Sequence, residues 1–212
     1  PPATLVPAGQ RHRLSARWIE ADRFQDLAGF GWAAASIYRC FSRGLMFGTG
    51  EHTFSPAQTA TRGEATTVLF RMEGSPQGGG NEFYDVPAGH FAEKAVTWVK
   101  SAGLLAGKAP YFFGLQDAMQ RQHMILLLYR YAGYKGIDTQ TGTAPVDLSR
   151  FTDRHLVSDY CLDAVKWGVK TGMVSGTTAT TLDPKGPLNR AELAAFIMRL
   201  SKNLSDAETA GR

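Results

Sequence analysis

Apolar positions recur along this chain in two alternating helical registers. Ala65, Val68, Leu69 and Met72 lie at i, i+3, i+4 and i+7, and the register returns at Met124, Leu127, Leu128 and Tyr131 and at Leu193, Phe196, Ile197 and Leu200. Such spacing puts four side chains on one face of a 3.6-residue helix, so each stretch is predicted to be an amphipathic helix. Upstream of each lies a stripe at i, i+4 and i+7: Ala33, Ile37 and Cys40, then Ala92, Val96 and Val99, then Cys161, Val165 and Gly168. These first helices are predicted to begin near Trp32, Phe91 and Tyr160. They end at Gly44, Gly103 and Gly172, where a residue without Cβ takes the left-handed cap.

Fixed motifs punctuate the helix pairs. Phe24-Gln25-Asp26, Phe83-Tyr84-Asp85 and Phe151-Thr152-Asp153 open the copies; Gly44-Leu45-Met46-Phe47-Gly48, Gly103-Leu104-Leu105-Ala106-Gly107 and Gly172-Met173-Val174-Ser175-Gly176 follow. Then come Phe54-Ser55-Pro56, Phe113 and Leu182-Asp183-Pro184, and finally Thr61-Arg62-Gly63-Glu64, Gln120-Arg121-Gln122-His123 and Asn189-Arg190-Ala191-Glu192. Aspartate to first glycine is 18, 18 and 19 residues, glycine to glycine 4, second glycine to Phe or Leu 6, and from there to arginine 8 in every copy. Three copies of about sixty residues predict one body with a shared core rather than an open solenoid.

The copies occupy 22–74, 83–136 and 147–203. Gly- and Pro-rich linkers fall at 75–82 and 137–146, a Pro- and Arg-bearing lead-in at 1–21, and a polar tail at 204–212.

Thr61-x-x-Glu64 is a capping box, and Asn189-x-x-Glu192 repeats it with asparagine, so Thr61, Glu64, Asn189 and Glu192 are assigned first to helix capping. Arg62, Arg121 and Arg190 sit one residue inside the helix start, where their forks are free to meet a carboxylate beside the positive helix end. Charge alone favours internal pairing with Asp26, Asp85 or Asp153; the two roles are compatible, the aspartate orienting the arginine. Copy two departs from the pattern, with no threonine cap, His123 for the glutamate and Leu115 for the proline. Its helix start is expected to be weaker and its groove the most doubtful. Protonation of His123 is expected to weaken that start unless an anion is bound nearby, and, if the groove binds an anion, to strengthen its affinity as pH falls from about 7.5 to about 5.5. Gly63 is expected to loosen the first copy's helix start by up to about 1 kcal/mol relative to alanine.

With 212 residues, 43% hydrophobic and 20% charged, the chain is long enough for one substantial core. The net charge of +4 is spread without a basic block, so nucleic acid is not an expected partner. No apolar run of some 18 residues is present, so no membrane insertion is expected. Cys40 and Cys161 lie on apolar faces and read as small buried hydrophobes rather than a disulfide. The five histidines have no ligand spacing, and no nucleophile motif or phosphate loop stands out, so no metal, cofactor or catalytic role is expected.

The four motifs in fixed order resemble the S-layer homology domain, a module usually found as a triplet, over roughly residues 22–203. The resemblance implies an all-α fold: three S-layer homology repeats in a pseudo-threefold arrangement, with a central three-helix bundle and three peripheral helical prongs. It implies a noncatalytic cell-wall anchoring module of a secreted, cell-surface protein from a Gram-positive lineage, attached to an enzymatic or S-layer module in a longer precursor. The implied partner is an anionic, commonly pyruvylated, secondary cell-wall polysaccharide. The alternative is a structural or protein-interaction module that has lost sugar binding.

On this reading the ligand candidates are Arg62, Arg121 and Arg190 with Asp26, Asp85 and Asp153. Gly48, Gly107 and Gly176 are added for backbone approach, and Trp98 and Trp167 for stacking on sugar faces. Trp32, Phe91 and Tyr160 are assigned to packing.

Overall fold

Six α-helices in three consecutive pairs organise the described residues, 23–140 and 146–210, of this computed structural model. They are α1 (Gly31–Ser42), α2 (Arg62–Met72), α3 (Glu93–Ser101), α4 (Arg121–Tyr134), α5 (Leu162–Lys170) and α6 (Arg190–Ala210). No β-strand is formed among the described residues, only isolated bridges. The lead-in at 1–21 and residues 141–145 of the second linker lie outside the described residues.

The expected stop signals act as such. α1, α3 and α5 end two residues before Gly44, Gly103 and Gly172, whose φ values of +67°, +68° and +70° are the left-handed caps. α3 and α5 start later than their apolar stripes suggested, and a 3₁₀ turn at Asp159–Cys161 leads into α5. α6 runs on through 204–210, where the sequence predicts a polar tail, with Leu204 packed against the core.

The apolar stripes are buried, from Ala33, Ile37 and Cys40 to Leu193, Phe196, Ile197 and Leu200, except that Met72 is only partly buried. Their partners lie in other copies. α2 packs on α3, α4 on α5 and α6 back on α1, so each second helix lies against the first helix of the next copy and the cycle closes. α2 and α6 also touch. The first two turns of α2 are buried almost all round, which makes that helix central, but its main neighbour is a first helix rather than another second helix. Thr66 and Thr67, buried there, donate to the carbonyls of Arg62 and Gly63 at 2.7 Å, so their hydroxyls are satisfied.

A ring of backbone hydrogen bonds ties the three helix starts together. Ala60 N donates to Leu188 O at 2.8 Å, Leu188 N to Met119 O at 2.8 Å, and Met119 N to Ala60 O at 2.9 Å. All three residues are buried, so each segment satisfies the amide of another where water has no access.

Two departures of copy two and copy one from the repeat pattern meet here. Gly63 N donates to Leu115 O at 3.0 Å, and a Cβ on Gly63 would come within 2.7 Å of Leu115 Cδ1. The corresponding residues Gln122 and Ala191 donate to Pro184 and Pro56. Gly63 therefore makes room for Leu115, a fit rather than the loosening that propensity alone suggested.

Cys40 and Cys161 are free and buried, and burial pushes their thiols up to about 12 and about 11. Tyr131, buried on α4, donates to Glu73 at the end of α2, and Lys135 pairs with the same carboxylate.

Candidate functional site

The three arginines are buried, 4–6% exposed, and each reaches from its own copy into the next. Arg62 Nε donates to Phe113 O at 3.1 Å and Nη2 to Ala106 O at 2.9 Å. Arg190 repeats this on copy one, with Nε to Phe54 O at 3.0 Å and Nη2 to Phe47 O at 2.6 Å. Arg121 Nε donates to Leu182 O at 3.0 Å. Burial lowers the pKa of Arg62 and Arg121, opposed by Asp117 at the first and Glu192 at the second, and a guanidinium stays charged throughout.

The aspartates do not pair with these arginines directly. Asp26 accepts from the amides of Phe54 and Ser55, Asp85 from Phe113, Gly114 and Leu115, and Asp153 from Leu182 and Asp183. Each aspartate thus holds the turn whose Phe or Leu carbonyl receives an arginine Nε, and orients the guanidinium through one peptide unit. At Asp85 burial pushes the carboxyl up, but the backbone amides outweigh it and hold it below its usual value.

The ion-pair partners are the capping glutamates. Glu64 Oε2 accepts from Thr61 N at 2.9 Å while Oε1 takes Arg190 Nη1 at 2.9 Å. Glu192 Oε2 accepts from Asn189 N at 3.0 Å while Oε1 takes Arg121 Nη1 at 2.7 Å. The caps completed by Thr61 and Asn189 are formed as expected, at 3.1 and 2.8 Å, and each carboxylate does both jobs at once.

Around each guanidinium opens a groove built from all three copies. The first, about 310 Å³, is lined by Gly48, Glu64 and Arg71 of copy one, Phe91 of copy two and Arg190 of copy three. The second, about 370 Å³, has Gly107, His123, Arg130, Tyr160 and Arg62 in the same places. The third, about 260 Å³, has Gly176, Glu192, Arg199, Trp32 and Arg121.

Trp32, Phe91 and Tyr160, 58%, 59% and 63% exposed, are the rings that face these grooves; their assignment to packing is corrected. Trp98 and Trp167, both 3% exposed, are core residues against Tyr131 and Tyr129, so no sugar can stack on them. Helical spacing located both sets but not which one faced solvent. Gly48, Gly107 and Gly176 do line the grooves. Their first need is local: a Cβ on them would meet Thr53 O at 2.6 Å, Phe83 Cε1 at 2.7 Å and Thr178 O at 2.5 Å.

A second arginine set went unread. Arg71, Arg130 and Arg199 each follow the first arginine by nine residues, a recurrence visible in the sequence. Their Nη1 atoms donate to Leu45, Leu104 and Met173 carbonyls at 3.0, 3.3 and 3.2 Å, placing a further cation on each groove wall.

The model of the S-layer homology domain matches residues 23–66 and 150–194, the first and third copies. Those two segments are S-layer homology domains. Its curated relatives include an amylopullulanase of Thermoanaerobacterium thermosulfurigenes, 28% identical over 80% of this chain and 9% of that protein. They also include the surface-layer 125 kDa protein of Lysinibacillus sphaericus, 23% identical over 82% of this chain and 14% of that one. An S-layer protein of Bacillus thuringiensis subsp. finitimus is 25% identical over 84% of this chain and 21% of its own length. The chain thus spans a small part of the relatives it matches. S-layer homology domains are cell-wall anchoring modules, and those of this chain mark a cell-surface, cell-wall-associated protein. No described helix is long and apolar enough to cross a membrane.

Proposed function

We infer that this chain holds a longer surface protein to the bacterial wall by binding a cell-wall polysaccharide in its inter-copy grooves. The observation that carries this reading is the threefold recurrence of one wall composition: an exposed aromatic ring, a tight glycine turn and two arginines. An aromatic face suits the C–H surface of a sugar ring, and guanidinium groups suit its acidic substituents. The ligand is an acidic polysaccharide, with ketal-linked pyruvate as the carboxylate the resemblance suggests. Either an S-layer module or an enzymatic one is a fitting cargo, since relatives of both descriptions share this segment.

Purified cell walls test it. The chain is expected to sediment with intact walls and to stay in solution after the acidic polysaccharide has been chemically removed. Trp32→Ala and Phe91→Ala, exposed and therefore tolerated by the fold, are each expected to weaken retention about tenfold or more, equivalent to about 1.4 kcal/mol. Equal retention on stripped walls would defeat the reading.

A further inference from the structure

The three grooves differ in one respect that bears on ligand charge. In the first and third, the buried arginine is neutralised by the protein's own glutamate, whose carboxylate bridges guanidinium and helix N-cap amide. In the second, His123 stands at the glutamate position, and its Nε2 is hydrogen-bonded at 2.7 Å to Tyr160 Oη on the far wall. Arg62 consequently makes its two carbonyl bonds but no ion pair among the described residues, and its Nη1 has no partner there.

The helix end beside it lacks its side-chain cap, although the amides of Arg121 and Gln122 donate to Gly186 O and Pro184 O. No side chain caps α4 at Gln120, whereas Thr61 and Glu64 cap α2 and Asn189 and Glu192 cap α6. The first groove is lined by two arginines and Glu64, the third by two arginines and Glu192. The second is lined by Arg62, Arg130 and Lys108 with no carboxylate at all, although Lys108 pairs outside the lining with Asp117.

We propose that the second groove is the carboxylate seat of this chain, and that a sugar carboxylate docks there between Arg62 and the amide end of α4. The pose is the one Glu64 and Glu192 already occupy in the sister grooves. In those grooves the same seat is filled from within. A buried guanidinium with no direct ion pair, at the N-terminus of a fourteen-residue helix and open to a groove, attracts an anion more strongly than one already paired. The departure of copy two from the repeat pattern, which on sequence marked the most doubtful groove, becomes the source of charge selectivity.

This assignment rests on the anchoring reading, and a small-molecule titration separates the two. Nitrogen-15-labelled full chain is titrated with methyl glucuronide and, in parallel, with neutral methyl glucoside, following the backbone amides of Gln120 and His123 and the side-chain Nε of Arg62. The glucuronide is expected to shift these signals while those of Arg190 and Arg121 stay put; the glucoside is expected not to move them. His123→Glu, which places a carboxylate in the seat and restores half of a capping box, is expected to lower glucuronide affinity at least tenfold without loss of fold. His123→Gln leaves the seat uncharged and is expected to keep affinity within about threefold.

Equal shifts with the glucoside, equal response at Arg190 and Arg121, unchanged affinity in His123→Glu, a matching loss in His123→Gln, or no shift up to about 50 mM would each overturn the assignment. Wall retention of the same proteins reports separately on the anchoring reading. Wild type that is held by walls yet blind to glucuronide defeats the charge assignment alone; wild type that binds glucuronide yet leaves walls untouched defeats the anchoring reading alone.

Discussion

At the residue scale, His123 carries a pH dependence different from the one its position in the sequence suggested. Burial, with Arg62 and Lys108 adding repulsion, lowers its pKa from 6.5 to about 4, and Arg130 lines the same groove. The imidazole is therefore neutral across the physiological range and does not strengthen anion binding between about pH 7.5 and about 5.5. The sign follows from linkage. A folded-state pKa below the unfolded value means that the unfolded chain takes up the proton first, so the contribution is intact above about pH 6.5 and is lost as pH falls towards about 4. Thermal midpoints of wild type and His123→Gln, measured in chloride rather than a carboxylate buffer, are expected to converge on neutral behaviour above about pH 7. Wild type should fall progressively below the variant from about pH 6 to about 4. A constant difference over that interval would contradict the half-buried, cation-flanked setting.

At the element scale, local rules and tertiary fit give opposite signs for one substitution. Helix propensity says that alanine at Gly63, in the first turn of α2, is favourable by about 1 kcal/mol. The added methyl would sit 2.7 Å from Leu115 Cδ1 and 3.1 Å from Leu115 O, and Leu115 is itself buried. Gly63→Ala is therefore expected to destabilise by about 1–2 kcal/mol. In a Leu115→Ala background the penalty is expected to shrink or reverse, a coupling that a double-mutant cycle in urea measures directly. Additive effects would mean that the two departures are unrelated. The same element explains what was legible before the structure: capping boxes, left-handed glycine stops and apolar faces of all six helices follow from neighbours within a turn or two. The late starts of α3 and α5 were not legible, because an apolar stripe continues through the 3₁₀ turn ahead of α5 as readily as through the helix.

At the scale of the whole molecule, each copy is finished by the next. Helix packing, the Ala60–Leu188–Met119 backbone ring and the three arginines all cross copy boundaries in the same cyclic sense. Arg190→Ala removes bonds to Phe54, Phe47 and Glu64 at once and leaves that glutamate without its buried partner. It is expected to lower stability by about 3–5 kcal/mol, beyond any effect on ligand. The loss should still appear as one transition, with circular dichroism and tryptophan fluorescence coinciding, because no copy can keep its fold while its neighbours open. Separate unfolding of copy three, seen as a fluorescence change displaced from the helical signal, would show the ring to be dispensable.

The sequence by itself determined the all-α class, the three copies, their helix faces and caps, and the arginine positions, since each is written in spacings of a few residues. Tertiary structure decided what those positions meet. Two aromatic positions lie on helical registers in copies two and three and one in copy one, and only packing against a neighbouring copy shows that Trp98 and Trp167 are core while Trp32, Phe91 and Tyr160 face the grooves. Likewise Arg62, Arg121 and Arg190 look equivalent along the chain, yet two find a glutamate from another copy and one finds His123 turned to Tyr160. A helical period marks a direction around an axis, whereas exposure and charge balance depend on which distant segment fills that direction; because every groove is assembled from three copies, its chemistry exists only once the ring has closed.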